Sequence, residues 1–415
     1  MKIKIPYGNN FQSLSISEER LLSVIHPQNV RIKDESESIT QAINNPLGCN
    51  PLSQFISKIK KVLIIVNDGT RPTPTEKIID SMYDIIKDKD IFFLIATGTH
   101  RAPTKKELKK IFGKYYRKVS KKILIHNAVN CEMIKAGVTE QGTEVWYNKV
   151  IYNYDRIIST SSVEPHYFAG FTGGRKSFLP GISSFKSTEM NHKLALDPKT
   201  EVLKLSGNPV HEDMHQALGF LDTKKIFSIQ AVLNREDKIY FIAAGDIKQS
   251  FDSAVDNVAD VYTVPIKEKA DIIVAIVTPP MDINLYQSHK AMQHARLALK
   301  PDGIIILVSP CSDGMGNTVF SSLLRLSETQ DQILKNAEKN FILGTQTAVK
   351  FAELSKTAQL WGVTDIDPKV IRSIFMKPFK TLQQAVEAAI TLKPGGKVLV
   401  LMNATLTVPF ISNQS

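Results

Sequence analysis

The stretch VLIIVNDGTRPTP, residues 62–74, decides the fold. It holds five consecutive apolar residues, four of them β-branched, then a polar loop with one glycine and two prolines. An amphipathic run from Thr75 to about Ile86 follows. An apolar run of that length suits a strand covered on both faces, and strand, loop and helix in succession are the mark of a parallel sheet. Working outward, residues 91–95 repeat the strand pattern. TKKE at 104–107 is a capping box that opens a further helix. Residues 123–125 read as another strand, and 144–159 as a β pair. A second series begins near Asp271, with strand-like runs at 272–277, 304–308 and 398–402 and helical patterns at 289–299 and 346–360. The expected fold is α/β: two α/β domains with largely parallel sheets, residues 1–268 and 269–415, with a cleft between them as the natural place for a ligand.

Composition narrows the function classes. The chain has 415 residues, 43% hydrophobic and 22% charged, as ordinary globular proteins do. Its 52 Lys+Arg against 41 Asp+Glu leave a net charge of +11, but the lysines are scattered, as at Lys105, Lys106, Lys109 and Lys110. No dense arginine run interleaved with aromatics appears, so the expectation is no nucleic-acid partner. Three widely spaced cysteines without a CxxC fit a reducing compartment rather than a disulfide framework. Residues 1–13 lack the apolar core and cleavage site of a signal peptide, and no apolar run approaches the ~20 residues of a membrane span. A soluble, cytoplasmic protein without membrane contact is expected.

Several segments carry chemistry. In NDGTRPTP, at a strand's carboxyl end, Gly69 permits close backbone approach, Asp68 and Thr70 offer hydrogen bonds, and Arg71 offers a fork for a carboxylate or phosphate. A turn opening a helix, with Thr73 or Thr75 as cap, explains the prolines but not the Asp and Arg together. ATGTHR, 96–101, repeats the geometry and brings His100 to the same crevice. EPHYFAGFTGGRKS, 164–177, is a glycine-rich loop containing His166 and Lys176. It is not a nucleotide-triphosphate loop, because the GxxxxGK pattern counted from Gly170 requires glycine where Arg175 stands. His192 follows in MNHK. HEDMH, 211–215, satisfies the HExxH zinc pattern, but Asn208 and Pro209 read as cap and first residue of the helix, leaving His211 in its first turn. Glu236 is the one candidate third ligand. YQSHK, 286–290, places Gln287 and Lys290 at the start of a helix, which suits an anion or a plain capped helix equally.

Taken together, these segments resemble the lactate racemase family, whose members use a nickel-pincer nucleotide. The likeness runs from the DGTRP loop at Asp68 to Trp361, with five motifs in the family's order. It implies that Lys176 carries the cofactor, Ni(II) pyridinium-3,5-bisthiocarboxylic acid mononucleotide, covalently, and that His192 binds the nickel. It implies His100 and His166 as the acid–base pair. It further implies that Asp68, Gly69, Thr70 and Arg71 hold the nucleotide, with Arg71 also on the substrate carboxylate, and that Gln287 and Lys290 serve the substrate.

The implied reaction is racemisation or epimerisation of a 2-hydroxy acid, lactate or a related short-chain acid, with cofactor-synthesis enzymes as transient partners. The Cα–H of such an acid is too weakly acidic for an imidazole to remove, so the resemblance implies that it leaves as hydride while a histidine takes the hydroxyl proton. A sugar-acid epimerase or malate-type racemase stands as the alternative within the family. Outside it stand a zinc hydrolase built on His211 and His215 and a silent binding protein for an anion. Nothing in the motifs fixes the pocket for the acid's side chain.

Overall fold

A computed structural model describes residues 1–412. The chain folds as two compact units, one of residues Asn29–Val261 and one joining Met1–Gln28 to Tyr262–Ser415. Both are built around a six-stranded sheet with helices on its faces.

In the first unit the strand order is Ile239–Gly245, Ile226–Leu233, Arg156–Ser162, Lys61–Asn67, Asp90–Ala96, Ile123–Ile125. All neighbours are parallel except the edge strand Ile239–Gly245, which is antiparallel to Ile226–Leu233. The two-residue period of a strand explains why residues 62–66 are apolar throughout. Val62, Ile64 and Val66 pack with Ile78, Ile79 and Met82 of the helix Thr75–Ile86. Leu63 and Ile65 enter the opposite layer, against Phe178, Leu179, Ile182, Val210 and Met214. Truncating such a buried residue, Ile64→Ala for example, costs about 2–5 kcal/mol. Chain order reverses at Lys61–Asn67: the next strand lies on one side of it and Arg156–Ser162 on the other. The loops that leave these carboxyl ends diverge and open the crevice where α/β sheets bind ligands.

The second unit's sheet is wholly parallel, in the order Met376–Phe379, Gln359–Val363, Leu299–Val308, Ala270–Ile276, Val398–Leu401, Leu21–Ile25. The division expected at 268/269 falls between Val261 and Tyr262, and the first 28 residues belong to this unit. Leu21–Ile25 adds an edge strand beside Val398–Leu401, and the hairpin Lys2–Tyr7 with Asn10–Ser15 lays Ile5 and Leu14 onto the same core as Val274, Ile306 and Trp361. The expected β pair at 144–159 is also corrected. Glu144–Asn148 pairs with Met133–Val138, while Arg156–Ser162 crosses into the main sheet beside Lys61–Asn67. Among the described residues no helix is long and apolar enough to cross a membrane.

Candidate active site

Three loops leave the crevice of the first unit, after Asn67, Ala96 and Ser162, and their polar residues bond to one another. Thr73 does not cap the helix that follows, whose first turn has no side-chain cap. Its hydroxyl donates to Asn67 Oδ1 at 2.7 Å and accepts from the Ser162 backbone N–H at 3.1 Å, which ties the first loop to the third. Asp68 turns back into its own loop, where Oδ1 accepts from the Thr70 N–H at 3.0 Å and the Thr70 hydroxyl at 2.6 Å. Gly98 takes φ +56°, a conformation that favours glycine, and donates its N–H to the Gly181 carbonyl at 2.9 Å. The turn it makes, closed by the His100 N–H on the Thr97 carbonyl, brings His100 Nδ1 to 2.8 Å from Asp68 Oδ2.

That contact fixes a protonation pattern. A carboxylate only accepts, so the Nδ1 of His100 carries the hydrogen and Nε2 of the neutral ring is left as a base. Burial pushes the Asp68 carboxyl up, but the hydrogen bond and charge of His100, with the two bonds from Thr70, outweigh it and hold the group below its ordinary range. Asp68 is therefore the fixed anion of the pair, buried while the His100 side chain is 47% exposed.

His166 is set the opposite way. It lies in the short ladder Pro165–His166 against Gly170–Phe171, and its Nδ1 accepts from the Ala169 N–H at 3.3 Å. In the neutral ring the hydrogen then sits on Nε2. Its ring stacks on Tyr167 at 5.3 Å and meets the edge of Phe168 at 4.5 Å. Phe168 is the hub of this side of the crevice. His192 approaches it edge-on at 5.2 Å, and the Lys176 ammonium stands 5.4 Å from its centroid.

Lys176 sits in the one-turn helix Gly174–Ser177, entered through Gly173 at φ +80°. A Cβ at Gly173 would lie 2.6 Å from a Val163 methyl, so only glycine lets the loop press against the strand end. His192 comes from the helix Phe185–Lys193, capped by the Ser184 side chain on the Ser187 N–H. Its Nδ1 is sealed from solvent and makes no hydrogen bond of ordinary geometry. Burial first, then the nearby Lys176 charge, push its pKa down to about 3, against a smaller opposing pull from the Thr188 carbonyl; His100 adds to the depression. The ring is thus neutral, the form in which imidazole binds a metal.

Two residues of this site are not singled out by the sequence reading. Glu164, with 7% of its side chain exposed, faces Arg71 at 3.7 Å, an ion pair too long for a direct hydrogen bond. Asp213 is buried and accepts from Thr139 and Thr143 hydroxyls at 2.5 and 2.9 Å and from Asn191 Nδ2 at 2.8 Å. It anchors the residue next to His192. The signal for Asp213 is only that it stands inside HEDMH.

The zinc reading of that motif fails on geometry. Asn208 caps the helix Pro209–Leu218, which leaves His211 in its first turn, and Glu212 is spent on the Gly207 N–H at 2.7 Å. Glu236 is exposed and paired with Lys238 at 3.1 Å. Among the described residues no group of three or more His, Cys, Asp or Glu is disposed to hold a metal ion. In the second unit Gln287 and Lys290 occupy the first turns of the helix Leu285–Ala295, capped by Asn284, and Lys290 Nζ donates to Gln287 Oε1 at 2.6 Å.

A carboxylate-set histidine beside loops from a strand switch offers groups capable of acid–base chemistry on a small ligand. Residues 7–202 match the lactate racemase N-terminal domain and residues 266–408 the lactate racemase C-terminal domain. The chain belongs to the lactate racemase family. It is 31% identical over 404 residues to lactate racemase of Lactiplantibacillus plantarum, covering 93% of this chain and 94% of the relative. It is 29% identical over 402 residues, with the same coverage, to that of Thermoanaerobacterium thermosaccharolyticum. The apoprotein structure of a lactate racemase from the latter organism superposes with a TM-score of 0.88 at 28% identity, over 99% of this chain and all of the other. A crystal structure of a Thermotoga maritima protein shares the fold at 17% identity, with a TM-score of 0.72 over 92% of this chain.

Proposed function

We propose that the protein racemises lactate or a related short-chain 2-hydroxy acid. One observation carries this reading: His100 and His166 are held with their ring hydrogens on opposite nitrogens, by Asp68 Oδ2 in one case and the Ala169 N–H in the other. A reaction that inverts a carbinol centre needs one group to take the hydroxyl proton of one enantiomer and another to serve the oxygen when it stands on the other side.

His100 Nε2 accepts the proton while Asp68 stabilises the imidazolium that results. His166 offers its Nε2–H as a hydrogen bond to the oxygen in the inverted pose, while the proton that completes the new hydroxyl comes from water, to which the half-exposed His100 imidazolium releases its own, so that both rings end the cycle neutral. Arg71 holds the carboxylate by charge and fork geometry, with Glu164 restraining the guanidinium.

A nickel-pincer nucleotide fits the residues present. His192 supplies one neutral, sealed imidazole, suited to a metal whose other donors are its own, and Lys176 stands beside it as the tether. Asp68, Gly69 and Thr70 line the loop that would receive the nucleotide. When bound, the group supplies a reversible acceptor for the hydrogen on Cα, which no side chain of this site can be.

The test is racemisation of enantiopure 2-hydroxy acids by protein co-produced in a cytoplasm with nickel and the pincer-synthesis enzymes. Chiral chromatography should show both enantiomers of at least one short-chain acid. Protein carrying the cofactor and inert toward the whole panel would refute the proposal.

A further inference from the structure

Beside the Lys176 loop the first unit has a partly open cavity of about 260 Å³. Its walls include Arg175, His211, His215, Lys248, Phe251 and Asp252. Arg175 is 2% exposed, and among the described residues no carboxylate bonds to it. Its guanidinium lies 4.5 Å from the Phe251 ring centroid and donates to the Ala169 carbonyl at 2.8 Å, with longer contacts to Thr172 and Gly173, while Nε has no hydrogen-bond partner. Fully buried arginines are nearly always paired, because an uncompensated charge is costly in low dielectric. Burial lowers this guanidinium's pKa to about 9, which still leaves it charged at neutral pH.

The rest of the wall deepens the imbalance. Burial first, then the charges of Arg175 and Lys248, disfavour a charge on His211 and on His215, whose pKa values fall, with Asp252 opposing the fall at His215; His211 Nδ1 is buried without a partner. The one carboxylate among these groups, Asp252, is engaged with Lys248 at 2.5 Å. Four basic side chains therefore converge on a cavity with a single, already paired, acid. Two imidazoles stacked on one helix face, neutral and each with one ring hydrogen, are donors to an oxygen ligand rather than ligands to a zinc ion.

We propose that this cavity binds a small oxyanion, a carboxylate or a phosphate, held by His211, His215 and Lys248 in front of the buried charge of Arg175. The HEDMH motif then has a use: its histidines recognise an anion, and its Asp213 anchors the neighbouring helix. Because Arg175 precedes Lys176, an occupant would lock the loop that presents the lysine.

The full-length protein is titrated with sodium phosphate and, separately, sodium acetate, against sodium chloride at matched ionic strength, by calorimetry and thermal melting. At least one oxyanion should bind saturably and raise the melting temperature above the chloride control; which of the two does so identifies the source. His215→Gln and Lys248→Gln, both at accessible positions and so compatible with folding, should each weaken that binding about tenfold, the worth of one charge-assisted hydrogen bond. Arg71→Ala, which removes the guanidinium of the crevice, should leave it unchanged. No saturable effect beyond chloride, undiminished binding in both glutamine variants, or loss of binding in Arg71→Ala would overturn the proposal.

Discussion

Replacing Asp68 by Asn exchanges one oxygen for an NH2 group and, on the geometry, reverses one histidine. In the native loop Asp68 Oδ1 is occupied by Thr70 and Oδ2 accepts from His100 Nδ1 at 2.8 Å. The amide of Asp68→Asn would keep its oxygen on the two Thr70 donors and turn its nitrogen toward His100. An N–H facing Nδ1 favours the ring form with hydrogen on Nε2, the atom that must accept the substrate proton. A hydrogen bond to a charged group is worth about 1.5–3 kcal/mol, so kcat/KM should fall roughly 10- to 100-fold. Solvent reaches the His100 side chain, 47% exposed, and screens the pair, which favours the lower end of that range. Enantiomers have equal free energy, so kcat/KM must fall by the same factor in both directions. Initial rates from each enantiomer, followed by chiral chromatography on preparations matched for cofactor mass, measure it. Undiminished rates at equal cofactor content would refute the assignment of His100 Nε2 as base.

The same carboxylate predicts a pH dependence of stability. Its folded pKa lies below the unfolded value of about 3.9, so its contribution is complete above that pH and lost as pH falls through the folded value; acid titration of Asp68→Asn should lack that part of the native protein's loss. Asp213→Asn sets an amide among three donors and should cost about 3 kcal/mol, lowering the melting temperature by roughly 5–10 °C and loosening nickel retention through Asn191. Thr104→Ala removes the cap of the helix Lys105–Phe112, whose box with Glu107 is complete, and should cost about 1 kcal/mol by urea denaturation without altering activity per bound cofactor. His192→Ala should lose nickel by elemental analysis while Lys176 still gains cofactor mass; equal nickel content would exclude His192 as ligand.

What the chain reveals before folding is local. The helix Thr75–Ile86, the strand Ile123–Ile125, the capping box at Thr104 and the Asn208–Pro209 start all follow from short-range patterns and stand in the structure. Loops at strand ends mark His100 and Asp68 as neighbours, because parallel strands bring their carboxyl ends together. Long-range pairing is not legible: nothing near Leu21–Ile25 announces a partner at Val398–Leu401. Periodicity also misassigns 144–159, where a short turn separates two strands of different sheets. Arg175 illustrates the limit at the site. The sequence marks it only as the residue that spoils a phosphate loop, whereas its burial without a bonded carboxylate becomes visible once Phe251 and His211 are packed around it.

The central claim is that hydrogen leaves Cα as hydride and returns to the opposite face, with the histidines handling only the hydroxyl proton. Incubating the holoenzyme with enantiopure lactate in D2O and analysing both enantiomers by mass tests it most directly. The predicted result is inverted product that retains protium at Cα. Deuterium appearing at Cα in step with inversion would contradict the claim, because it would mean that a side chain removes that hydrogen as a proton.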